Sequence, residues 1–311
     1  MKGRTKGIAL AATGAALWGI NGAFADVVFS QFNAPVEWVV GTRLFLAGIL
    51  ILLYAKFVLK KEIFEIFETK KDTAVLFLFG LLGMIGCQYL FFLSIGANGA
   101  GLATILQFTS PIFIYFYLAV KKEKVVHAKE LFYIFLTFLG VFLIVTRGNF
   151  GQLEVSLTGL VIGIGSAIGV AFYTLQPRRI LKIYGSPIVV GWGMLIGGGA
   201  FQFVHPIWKP GFTVNLEVIL YMAFIIVVGT AIAFSCYLGS VNYVEASLSN
   251  IMAALEPLVA NILTPLLLGQ SWTIVQMAGI AVVLVSVILF ANYGEKTKKQ
   301  NNLELTSEQF K

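Results

Sequence analysis

Ten apolar stretches, separated by short polar connections, fill this chain almost from end to end. They run Gly7–Phe29, Trp38–Val58, Thr73–Ser94, Gly101–Val120, Leu131–Thr146, Ser156–Pro177, Pro187–His205, Leu216–Gly239, Ala246–Leu268 and Trp272–Asn292. Inside a bilayer the backbone has no water to bond with, so about 20 consecutive apolar residues predict a helix that crosses the membrane. The fifth stretch is short, and its helix is expected to start nearer His127. The pattern predicts an all-α integral membrane protein with ten transmembrane helices. Two segments read differently. Leu59, Ile63, Ile66 and Phe67 recur at helical spacing among Lys and Glu, predicting a short amphipathic helix on the membrane surface. After Gly294 the sequence turns polar, as an unstructured tail would.

The pattern also repeats. A shift of 146 positions lays Gln88–Pro111 over Phe234–Pro257, with identities at Ser94/Ser240, Ala100/Ala246, Leu102/Leu248, Ile105/Ile251 and Pro111/Pro257. Each half holds five spans, an odd number, so the second half must run through the membrane inverted relative to the first. The predicted organisation is a first five-helix repeat over 1–146, an inverted five-helix repeat over 147–293, and a polar cytoplasmic tail over 294–311. Inverted repeats are a feature of secondary transporters, which hold substrate near the midplane between two halves. The plainer alternative is a duplication that built a stable bundle and nothing more.

Hydrophobic residues make up 58% of the 311 residues and charged ones 12%, with a mean hydropathy of +0.88, which excludes a soluble globular domain of this length. A net charge of +7 would suit a nucleic-acid partner until its distribution is considered. With the N-terminus placed inside, inside segments hold nineteen of the 22 Lys and Arg residues, outside loops hold Arg147 and Lys209, and Arg43 lies within the second span. The asymmetry predicts a multi-pass protein of the cytoplasmic membrane with both termini cytoplasmic. Its basic charge then faces anionic lipid, and no nucleic-acid partner is implied. The turn Asn242–Glu245 carries no Lys or Arg and is silent on orientation. The first stretch lacks a signal-peptide pattern and is read as a retained helix. Cys87 and Cys236 lie inside spans and read as small buried residues. His127 and His205 stand far apart, so no metal site, cofactor or hydrolytic triad is expected, and the chain does not read as an enzyme.

Several local motifs resemble a known family. They are Ala16-Leu17-Trp18-Gly19, Arg43 early in the second span, Ser110-Pro111, and Glu123 past the fourth span. The second half adds Ala167 to Tyr173 with Arg178-Arg179, then Leu255-Glu256-Pro257 and Gly269-Gln270. Together, over roughly Gly7 to Tyr293, they resemble the drug/metabolite transporter superfamily in its ten-helix EamA-like branch. At Gln270 the chain departs from the family, which often has Glu there. The resemblance implies an exporter or importer of amino acids, other small metabolites or drugs.

Glu256 is the most informative single position. It lies mid-span before Pro257, where an ionised carboxylate is costly unless it is solvated or paired. It reads as a proton-coupling group or a substrate-cation site, or else as a hydrogen-bonded partner of the backbone that Pro257 frees. Helical spacing puts Ser249, Ala253, Glu256 and Ala260 on one stripe, and Asn250, Pro257 and Asn261 on a second. The first-half counterpart of that second stripe holds Thr104, Gln107, Pro111 and Tyr115. Trp18 and Asn21 in the first span, Gln88 and Tyr89 in the third, Tyr173 and Gln176 in the sixth and Ser235 in the eighth complete the candidate substrate contacts. Aromatics flanked by uncharged polar groups suit a neutral or zwitterionic ligand. Spans one, three, four, six, eight and nine are therefore expected to line a cavity. Arg43 is expected to pair with Asp26 or Glu37 at the external end, with substrate-carboxylate binding as the sharper alternative. Gly159–Gly163 and Gly193–Gly197 are GxxxG patterns that allow close helix contact.

The sequence as a whole reads as a secondary active transporter that exports a small polar metabolite, an amino acid or related compound, or a drug, by alternating access. Its partners are that small molecule and the lipid bilayer, with monomer or homodimer left open. The rivals are a proton-independent importer or facilitator, a membrane-embedded enzyme acting on lipids, and a sensor or scaffold.

Overall fold

The computed structural model describes residues 2–123, 127–149, 151, 157–259 and 273–309. Gly269, Gln270, Ala260 and Asn261 lie outside the described residues, as does the Asp26 side chain. Among the described residues the chain is helical with no strand. The helices are α1 (Lys2–Ser30), α2 (Val36–Leu53), α3 (Lys70–Leu78), α4 (Ile85–Gln107), α5 (Ser110–Val120), α6 (Ala128–Thr146), α7 (Leu157–Leu175), α8 (Arg178–Tyr184), α9 (Ser186–Val204), α10 (Leu216–Ile226), α11 (Ala233–Ser240), α12 (Ala246–Met252) and α13 (Ile274–Gln309).

Their ends follow local chemistry. Asn33 takes a φ of 51° before Pro35 and α2, and α6 stops where Arg147 and Gly148 take φ values of 54° and 83°. His127 stands at the N-terminus of α6, where the short fifth span was expected to start. The Asn215 side chain caps α10, accepting from the Val218 N–H at 2.9 Å. π-helical turns at Phe79–Met84 and Val227–Ile232 join α3 to α4 and α10 to α11. Such turns leave a backbone carbonyl out of register, and the Thr230 hydroxyl satisfies one by donating to the Ile225 carbonyl at 2.7 Å.

Eight described segments are long and apolar enough to cross a membrane, from 3–29 through to 216–240. The ninth and tenth expected spans are present as the shorter apolar helices Leu248–Val259 and Ile274–Phe290, on either side of residues outside the description. In α4 helical bonding continues from Ile85 to Gln107, where a break after Ser94 was expected. A straight helix would separate Cys87 from Gln107 by about 30 Å. Yet the Gln107 Nε2 lies 4.0 Å from the Cys87 sulfur, and a Cβ on Gly163 would touch both Ser94 and Leu106. The chain therefore doubles back between Ser94 and Leu106, so the third and fourth spans are separate crossings.

Helices pair closely where side chains are small. α2 lies along α9, α4 along α7, α1 along α11 and α6 along α13. A Cβ on Gly198 would fall 2.2 Å from the Phe45 backbone nitrogen, so α9 meets α2 backbone to backbone there. Both GxxxG patterns sit at such contacts: Gly163 against Leu106 and Ser94, and Gly197 against the Gly80 carbonyl.

Two expectations are corrected. The amphipathic helix over 59–67 is a loop with a single 3-10 turn at Glu65–Phe67. Its Ile63 carbonyl accepts from the Trp192 indole N–H at 2.7 Å, and Phe64 and Phe67 pack on that ring, so side-chain contacts replace helical bonding. The polar tail is also not unstructured over its described part, since α13 continues to Gln309. Once the membrane span has nucleated the helix, each further Glu, Lys, Gln or Leu adds a hydrogen bond at little cost.

Candidate functional site

Both prolines of the repeat interrupt their helices in the same way. Before Ser110-Pro111 the helix breaks at Phe108-Thr109, and before Glu256-Pro257 it breaks at Ala253-Ala254. At each break the backbone tightens to three-residue bonds, Thr109 to Leu106 at 3.1 Å and Glu256 to Ala253 at 2.9 Å. These interruptions turn polar side chains inward. The Ser110 hydroxyl donates to Asn250 Oδ1 at 3.0 Å, and the Asn250 amide donates to the Tyr237 hydroxyl at 3.3 Å, linking the two broken helices in a buried network.

Around this network lies a cavity of about 490 Å³. Trp18 and Asn21 line it from α1, Gln88, Thr104 and Gln107 from α4, and Tyr173 from α7. Asn250 from α12 and Glu256 beyond it complete the expected residues that meet there. The break at 253–254 brings Ala253, Glu256 and Pro257 into the same wall as Asn250, merging two stripes that an unbroken helix would hold apart. The lining extends to the ends of α1 and α6, at Phe29, Val145 and Arg147. Toward the Ser110–Asn250–Tyr237 network the rings of Trp18 and Phe234 stand 4.7 Å apart and those of Trp18 and Tyr237 4.8 Å apart, in one aromatic cluster.

Three expected contacts lie elsewhere, outside the cavity wall. The Tyr89 hydroxyl donates to Glu37 at 3.0 Å, beside the Phe201 ring. The Gln176 amide donates to the Val75 carbonyl at 2.7 Å. Ser235 contributes its carbonyl, which accepts from the Ser186 hydroxyl at 3.2 Å.

Of the two partners expected for Arg43, the Asp26 side chain lies outside the described residues and Glu37 is bonded by Tyr89. Arg43 is 4% exposed and places its guanidinium 5.1 Å from the Phe92 ring centre. Arg43 and Glu256 both line the cavity, and neither has an ion-pair partner among the described residues. Sequence reasoning undervalued Arg43 because the short route to water at a span end is usually the cheaper one. Three buried polar atoms of cavity residues have no hydrogen-bond partner among the described residues: Trp18 Nε1, Asn21 Oδ1 and Arg43 Nε. Buried polar atoms are rarely left unmatched, and their convergence on one cavity marks a place for a polar ligand or water.

Beyond the aromatic cluster, polar contacts tie segments of the two halves together. Asp72 at the start of α3 pairs with Arg179 and accepts from the Tyr184 hydroxyl at 2.8 Å. Glu123 after α5 pairs with Arg178 at 2.9 Å.

Membrane-crossing helices wrapped around a polar, charged cavity define a multi-pass membrane transporter. The chain belongs to the EamA-like transporter family, whose sequence pattern matches residues 5–146 and, a second time, residues 157–292. It is 33% identical over 286 residues to the inner membrane transporter YicL of Salmonella typhimurium, spanning 92% of this chain and 95% of that one. It is 24% identical over 222 residues to the threonine/homoserine exporter RhtA of Escherichia coli K12, spanning 70% of each. A solved crystal structure with 12% identity superposes with a TM-score of 0.79 over 94% of this chain and 99% of that one, and so shares the fold.

Proposed function

We propose that the chain is a ten-helix secondary transporter that exports a small polar metabolite of the amino-acid kind through the Arg43–Glu256 cavity. The observation that carries this reading is the cavity itself: polar groups from both halves converge there, and Trp18 Nε1, Asn21 Oδ1 and Arg43 Nε lack hydrogen-bond partners among the described residues. The kinship with RhtA supports amino-acid-like solutes and the export direction.

An inverted repeat over 1–146 and 147–293 supplies the mechanism, and three observations support it. The family pattern matches each half separately. Exchanging the halves carries the α1–α11 pairing onto α7–α4 and returns α2–α9 and α6–α13 to themselves. The two halves also make equivalent contacts: Asn21 of α1 abuts Gly229 in one π-helical turn, and Tyr173 of α7 abuts Gly83 in the other. Two packings of similar energy follow from such symmetry, one open to each side.

With the Lys- and Arg-rich side cytoplasmic, the Asp72–Arg179 and Glu123–Arg178 pairs and the Trp18 ring cluster close the cytoplasmic face. The arrangement then corresponds to an outward-facing state. Glu256 is the candidate proton-coupling group, because a carboxylate in a cavity reached from both sides can take up a proton on one and release it on the other. Flux assays in proteoliposomes, screened over amino acids, amines and carboxylates with and without a pH gradient, test this function. Efflux of an amino acid driven by an inward proton gradient is expected. Purely passive flux would favour a facilitator.

A further inference from the structure

Two guanidinium groups reach the cavity among the described residues, and they differ in burial. Arg147 ends α6 at the mouth and is exposed, whereas Arg43 is 4% exposed. A charge removed from water is costly unless something pairs with it. Phe92 offers a cation–π contact at 5.1 Å, and the buried Nε has no acceptor among the described residues. Glu256 lines the same cavity and is not ion-paired with Arg43. The cavity is therefore lined by one basic and one acidic side chain that form no ion pair with each other. Asn21 Oδ1 and Trp18 Nε1 add one unmatched acceptor and one unmatched donor.

We propose that Arg43 and Glu256 form a paired-charge site for a small zwitterion, with the carboxylate on Arg43 and the ammonium on Glu256. This deepens the transporter reading and rests on it. The Nε and one Nη of a guanidinium form a fork that matches the two oxygens of a carboxylate, and here the Nε arm is the one left unmatched. The ammonium has three donors for Glu256 and the Asn21 oxygen. A solute side chain would meet Phe29, Phe91 and Phe108. The pair also rejects. A cationic drug leaves Arg43 unmatched, and a simple carboxylate leaves Glu256 unmatched, so each is penalised by the charge it lacks.

Binding to the purified full-length protein, measured by calorimetry, tests this with glycine, alanine, threonine, homoserine and methionine, each beside its amide and its N-acetyl derivative. At least one parent amino acid is expected to bind about tenfold to a hundredfold more tightly than both of its single-charge derivatives. Arg43→Gln should erase the preference of the parent over the amide, and Arg43→Lys, which keeps the charge without the fork, should restore only part of it. An amide or N-acetyl derivative that binds wild-type protein as tightly as its parent overturns the site, whether or not the variants fold. So does an Arg43→Gln protein of wild-type melting temperature that keeps the full preference. Proteoliposome flux of an amine or a carboxylate without zwitterion binding overturns this site and leaves the transporter reading intact. No flux for any solute overturns both.

Discussion

Asn21 and Gly229 show how a single side chain is fixed at the cavity wall. A Cβ on Gly229 would lie 2.1 Å from Asn21 Oδ1, whereas one on Gly22, a residue further along α1, would meet nothing. Gly229→Ala is therefore expected to lower stability by about 1–3 kcal/mol, read as a fall in melting temperature. Gly22→Ala should melt as wild type. Glu256→Gln keeps shape and hydrogen bonding but cannot titrate. It should abolish the stimulation of efflux by a pH gradient while solute exchange persists at raised substrate concentration. Wild-type pH dependence in that variant would remove the proton-coupling role. Much of this wall was legible in sequence, because Asn21, Gln88, Gln107, Asn250 and Glu256 are polar residues at depths where polarity is costly. Arg43 was misjudged because its surroundings, Phe92 and Glu256, come from other helices. Tyr89, Gln176 and Ser235 have the same residue character as the cavity group, and only their partners on distant segments distinguish them.

At the scale of elements, apolar runs mark spans well and their interruptions poorly. Pro111 and Pro257 announced two breaks, but the π-helical turns at 79–84 and 227–232 carry no proline and follow from close contact with α7 and α1. The loop over 59–67 shows the reverse error: helical spacing of Leu59, Ile63 and Ile66 was present, but Trp192 drew the backbone carbonyl into a tertiary bond. The contact between α3 and α8 could not be read from composition either, since Asp72 and Arg179 are more than a hundred positions apart. Asp72→Arg or Arg179→Asp alone should slow transport by roughly tenfold, and the double exchange should recover most of it. Lack of recovery would mean that the pair is not a closure between the two halves.

Over the whole molecule, the proposed inverted repeat draws on the repeat in sequence and on the exchange symmetry in packing. The charge asymmetry adds a direction. Single cysteines at Glu65 and Ile180, in a background lacking Cys87 and Cys236, should react only from the cytoplasmic side, and those at Asn33 and Pro210 only from outside. External labelling at both 65 and 180 would invert the protein in the membrane and turn the outward-facing state into an inward-facing one. The central claim is that one cavity serves both sides in turn. Gly22→Cys in the same background tests it most directly, because Gly22 lines the cavity and has room for the new side chain. With a membrane-impermeant thiol reagent, the cysteine should be modified from outside at rest and from the cytoplasmic side once transported solute is supplied. Modification from a single side under every condition, in a protein that still moves solute, would contradict the account.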